Sequence, residues 1–101
     1  MARPRILIIG GSTRAAADSV RRAGWQPICA DLFADHDLRQ TAEVISVRDY
    51  PESLPDDVMN VQADGWFYCG ALENHPKIIE HPSIERVGRE NRHLRRFVFE
   101  R

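Results

Sequence analysis

Two short stretches of this chain carry residue types that could do chemistry. The first, "GGSTRA", puts Gly10, Gly11, Ser12 and Arg14 directly after an apolar run, with Asp31 at 20 residues beyond Gly11. Glycines that let backbone N–H groups approach a ligand at a helix start suit a phosphate, and an acid at that distance is where dinucleotide-binding units hold a ribose hydroxyl. The G-x-G-x-x-G pattern is nevertheless incomplete. Gly10 and Gly11 are adjacent, and Ala15 stands where the last glycine belongs. A tight β-to-α turn capped by Ser12 or Thr13 accounts for the glycines without any nucleotide. Arg14 is harder to explain that way, because a cation in the first helical turn opposes the positive end of the helix dipole. Two readings stay open for it: service to an anion or partner domain, or an arginine that is solvated or paired with Asp31.

The second stretch, "FYCGALENHP", follows another apolar run and holds Gly70, Glu73 and Asn74. Glu73 and Asn74 can hydrogen-bond a polar substrate; alternatively Asn74 is only a helix cap and Glu73 a favourable anion at a helix start. Other chemistries fare worse. Metal ligation would have to draw on Cys69, His75, His81 and either His36 or His93, none at HxxxH or CxxC spacing. No GxSxG elbow, no GxxxxGK[ST] loop and no recognisable carboxylate pair is present. The arginines at 86, 89, 92, 95, 96 and 101 suit an amphipathic helix with a solvated basic face, and a sequence pI near 6.4 disfavours nucleic-acid binding.

These residues must be positioned by a chain of 101 residues, enough for one domain spanning 1–101. Its composition, 43% hydrophobic and 29% charged, is that of a soluble globular protein; no apolar run reaches membrane-spanning length and the amino terminus is a poor signal peptide. A cytoplasmic location is the expectation. Cys29 and Cys69 read as reduced, small apolar residues rather than a disulfide.

The continuous apolar run Ile6 to Ile9 predicts a strand buried on both faces of a parallel sheet. Ala16, Val20 and Ala23 then give a helix over about 13 to 23, with Asp18 placed to pair with Arg21 or Arg22 and Gly24 as its stop. "QPICAD" predicts a second strand ending at Asp31. "DLFADHDLRQTA" is a loop with room for a short helical turn, and "EVISV" an exposed third strand at the sheet edge. Ser53 and Pro55 mark a helix start whose apolar stripe is Leu54, Val58 and Val61. "GWFYCG" is a fourth strand, Asn74 caps a short helix, "IERV" is a fifth strand, and residues of about 90 to 99 form a final helix. The expected fold is α/β: an open, doubly wound parallel sheet of about five strands in the order 3-2-1-4-5. Ligands of such a sheet collect beyond the carboxyl ends of the strands, where Gly10 to Arg14 would face Gly70 to His75. Aromatic bulk in "WFYC" should add an apolar docking surface beside that crevice.

Taken together, "ILIIGGSTRAAADSVRRAG", "DLFADHDL" and "GALENHP" resemble, in order and spacing, the amino-terminal pre-ATP-grasp domain of ATP-grasp carboligases related to biotin carboxylase. The likeness covers most of the chain. It implies a Rossmann-like unit that packs on an ATP-grasp domain and lines the substrate side of the site, with Gly10, Gly11, Ser12, Arg14, Gly70, Glu73 and Asn74 nearest the substrate and Asp31 shaping the rim. The family's phosphate-gripping lysines and magnesium-holding acids lie beyond this region and have no counterpart here. "GREN" also departs from the family's Gly-Asn followed by a small residue. The expectation is therefore a module without catalytic residues, either a domain cut from a longer protein or a product whose reading frame ends early. ATP and magnesium would arrive only with the ATP-grasp partner, and self-association is expected of the isolated chain. The alternatives are a stand-alone Rossmann-like nucleotide-binding protein and a small nucleic-acid-binding domain that uses the arginine-rich helix.

Overall fold

The computed structural model describes residues 3–33, 36–87 and 89–90. Four strands make an all-parallel sheet in the order β3-β2-β1-β4: β1 (Arg5–Gly10), β2 (Gln26–Asp31), β3 (Glu43–Ser46) and β4 (Gly65–Tyr68). β1 sits between β2 and β4, with Ile8 opposite Cys29 on one side and Phe67 on the other. This central place explains why β1 is apolar without alternation: side chains of both parities must be buried.

Successive residues feed two separate cores. Leu7, Ile9, Ile28, Ala30 and Trp66 point to one face, where they meet Leu54 and Val58 of helix α3 (Leu54–Asp57) and its C-cap, together with Ile84 of α5 (Pro82–Glu85). Ile6, Ile8, Cys29 and Phe67 point to the other, against Ala16, Ala17 and Val20 of α1 (Arg14–Arg22) and Leu38 of α2 (His36–Thr41). Helices thus cover both faces. Each fully buried leucine or isoleucine adds about 1.5–3 kcal/mol of transfer free energy. α1 ends as its sequence requires: Gly24 has φ +85°, and Trp25 N–H donates to the Val20 carbonyl at 3.1 Å across it. Asp18 pairs with Arg22 at 2.9 Å. β3 lies at the sheet edge, its residues half-buried or exposed.

The carboxyl-terminal expectations need correction. "IERV" is not a strand: Ile84 and Glu85 lie in α5, which Pro82 begins and the His81 ring caps, its Nδ1 accepting Ser83 N–H at 3.1 Å. Ile84 and Val87 are both buried three residues apart, a spacing that puts them on one side of a helical turn but on opposite faces of a strand. Arg89–Glu90 instead aligns parallel to β4 over two residue pairs, Gly65 with Arg89 and Trp66 with Glu90. The expected helix over 90 to 99 and the distal arginines fall almost wholly outside the described residues. No helix among those described is long and apolar enough to cross a membrane.

Candidate functional site

Strand order reverses between β1 and β4, so the loops leaving these two strands emerge side by side at the carboxyl end of the sheet. That is where an open α/β sheet offers a ligand its crevice. The β1–α1 turn and the β4 exit meet through Cys69. Its N–H donates to the Ile9 carbonyl at 3.0 Å, and its thiol lies 3.8 Å from that oxygen and 3.6 Å from the Ser12 carbonyl. A Cβ on Gly10 would stand 2.6 Å from Cys69 Sγ and 3.1 Å from the Cys69 carbonyl oxygen, so close approach of two backbones is what demands glycine there. Gly11 meets no such constraint. Gly70 is required for a different reason, its φ of +74° at the entry to a 3-10 turn spanning Gly70–Asn74.

Asp31 faces inward, not toward a rim. It is 3% exposed, and its Oδ2 accepts the Thr13 N–H at 2.6 Å and the Thr13 hydroxyl at 2.7 Å, while Oδ1 accepts Phe33 N–H at 2.7 Å. This carboxylate pins the start of α1 to the end of β2. Thr13 occupies the N-cap position of α1, yet its side chain makes no capping bond because the hydroxyl is given to Asp31. The internal carboxylate therefore does the work expected of Ser12 or Thr13. Ser12 is exposed.

Arg14 does not reach Asp31. Its guanidinium pairs with Asp37 of α2 at 3.3 Å, both side chains being 62% exposed. The pair closes one wall of a groove of about 720 Å³ between α1 and α2, lined also by Ser12, Asp18, Gln40 and Thr41. Ser12 is the link between this groove and the Cys69 contact.

The second expected stretch is also rearranged. Asn74 is exposed and closes the 3-10 turn; it is not the cap of α4 (Pro76–Ile79), where His75 stands instead without a side-chain capping bond. Glu73 lies within that turn. Trp66 and Phe67 are buried and Tyr68 half-buried, so "WFYC" supplies core rather than a docking surface. Among the described residues the large apolar side chains left exposed are Leu32, Phe33 and Met59, Phe33 at 70%. Leu32 and Phe33 follow Asp31 directly, at the same end of the sheet as the candidate crevice.

Burial pushes the Cys29 thiol up to about 12, with the polar Thr13 side chain nearby working against the rise and the Asp31 charge adding to it. Burial likewise raises Cys69 to about 11, again assisted by Asp31. Both are free thiols, and burial favours the protonated form of each. Two strand spacings separate their backbones across β1, roughly 10 Å and beyond the reach of a disulfide. Among the described residues no group of three or more His, Cys, Asp or Glu is placed to hold a metal ion.

Sequence reasoning missed Thr13 as the partner of Asp31 and Cys69 as the contact between loops. Their available signals were a hydroxyl residue beside the helix start and a small residue directly before a glycine that ends a strand. Comparison of the chain with protein-family models, curated proteins and solved structures gives no match.

Proposed function

We propose that this chain is a non-catalytic binding module of an ATP-grasp ligase-like protein, with the five-stranded Rossmann-like fold of that family's amino-terminal domain. It lines the substrate side of a shared site with the carboxyl end of its sheet and docks on an ATP-grasp domain, which brings ATP and magnesium. One observation carries the reading. The two loops that the sequence resemblance assigns to the substrate leave adjacent strands at the point of strand-order reversal and touch through Cys69. Beside them Arg14 projects an exposed guanidinium into the α1–α2 groove, suited to a small anionic substrate. Leu32 and Phe33, exposed at the same end, suit the docking contact.

Titration with citrate, following the Arg14 side-chain N–H signal and the amides of residues 70–75, tests the anion site. Saturable shifts at both, lost in Arg14→Ala, are expected. Absence of any response at these positions overturns the anion reading. The isolated chain should also show no magnesium-dependent ATP hydrolysis, and turnover above a buffer blank that survives repurification removes the non-catalytic reading.

A further inference from the structure

The amino-terminal end of α1 already holds an anion, and that anion is part of the chain. A helix start ordinarily presents free N–H groups and partial positive charge to whatever lies beyond it. Here the Asp31 carboxylate is 2.6 Å from Thr13 N and 2.7 Å from its hydroxyl, at 3% exposure. The second carboxylate oxygen is engaged by Phe33 N–H at 2.7 Å. Both oxygens are thus directed into the protein. We infer that Asp31 is a specificity determinant, an internal carboxylate that excludes phosphate and pyrophosphate from the Thr13 N–H and hydroxyl and leaves external anions at this end of α1 to the Arg14 side chain.

Two consequences follow from charge and geometry. A phosphate placed on the Thr13 N–H would have to displace a buried carboxylate or share the site with it, and like charges at hydrogen-bond range repel strongly in a low-dielectric setting. An acid at the end of the second strand could hold a ribose only with an outward oxygen, and Asp31 has both oxygens occupied by Thr13 and Phe33. The Thr13 N–H is thereby closed to a pyrophosphate, even though the surrounding sequence offers two glycines, a hydroxyl residue and an acid at the expected distance. This inference does not depend on the ATP-grasp reading above.

The test is a titration of wild type, Asp31→Asn and Asp31→Ala with inorganic phosphate, with chloride at matched ionic strength as control, following the amides of residues 11–15. Wild type should show no saturable shift there. Asp31→Asn, whose neutral amide is a weaker competitor, and Asp31→Ala, which frees the N–H, should both gain saturable phosphate shifts that wild type lacks, the Asp31→Ala site being the tighter. Thr13→Val removes only the hydroxyl and should stay silent. If Asp31→Ala does not fold in buffer, phosphate and not chloride should restore its folded spectrum. Saturable phosphate shifts at Thr13 in wild type overturn the inference, as does a folded Asp31→Ala that ignores phosphate or an unfolded one that phosphate does not rescue. A citrate response at Arg14 with a silent Thr13 amide leaves it standing, so its failure and that of the proposed anion site are read at different nuclei.

Discussion

Residues 13 and 14 are neighbours in sequence, and each meets an aspartate, but the two meetings belong to different physical regimes. Thr13 meets Asp31 inside the protein, through short hydrogen bonds at 2.6 and 2.7 Å. Arg14 meets Asp37 outside it, across 3.3 Å between side chains 62% exposed. Formal charge would rank the second contact higher, since it joins full opposite charges. Burial reverses the ranking: a carboxylate out of water depends on its donors, whereas an exposed pair exchanges one hydrated state for another. The inner contact fixes the backbone, and the outer one leaves a guanidinium available.

The largest expected effect breaks the inner side of this comparison. Asp31→Ala strips Thr13 N–H and hydroxyl and Phe33 N–H of their acceptor and should cost about 3 kcal/mol or more, read by denaturant unfolding. Asp37→Ala should change the same measurement by less than about 0.5 kcal/mol. Equal costs would abolish the distinction.

Next in size is the Cys69 contact that holds the β4 exit against the turn. Gly10→Ala should destabilise by about 1–3 kcal/mol, because its new methyl group meets Sγ at 2.6 Å. Cys69→Ala should recover part of that loss in the double variant, leaving the clash with the Cys69 carbonyl oxygen at 3.1 Å. Strict additivity would show that the sulfur is not the obstacle.

A smaller effect sharpens the comparison by pH. Cys29 and Cys69 have raised pKa values in the folded chain, from an ordinary 9.0 to about 12 and about 11. The folded state therefore holds these protons longer than the unfolded one. The thiol contribution to stability is complete below pH 9 and is lost as pH rises through 11 and 12. Because the Asp31 charge is one cause of each rise, Asp31→Asn should lower the pH at which Cys69 forms thiolate, followed by ultraviolet absorbance. Asp37→Asn should leave it in place. The smallest effect concerns the outer pair alone: freeing Arg14 by Asp37→Asn should tighten citrate by roughly twofold to fivefold, an advantage erased by added salt.

Much of the frame was legible because it rests on patterns that burial imposes. The apolar run at Ile6 to Ile9, the bounds of "QPICAD" and the helix stop at Gly24 all appear where sequence placed them. So does the order of the four strands. What could not be read was direction. An acid ending a strand has the same letter whether its carboxylate turns inward, as Asp31 does, or outward, as Asp37 does from α2. For Arg14 the only acid the sequence suggested was Asp31, and the α2 helix supplies a different one, Asp37. "IERV" failed for another reason. Its two apolar residues are three apart, a spacing that shares one helix face and splits across the two faces of a strand, and Pro82 with the His81 cap starts that helix.

The place of β1 also bears on how the chain is made. It is translated before the other strands of this sheet, and it must be covered on both edges. β2 follows soon after, so the β1–β2 pair and α1 can assemble while synthesis continues. The other edge of β1, which will receive Gly65–Tyr68, stays unpaired until β4 is translated. At roughly 5–20 residues per second that interval lasts on the order of seconds, far longer than the microseconds in which local structure forms. An open edge flanked by Leu7, Ile8 and Ile9 is a template for another nascent chain. Crowded expression should accordingly lose this protein to aggregation during synthesis, and slowing initiation rather than elongation should recover it.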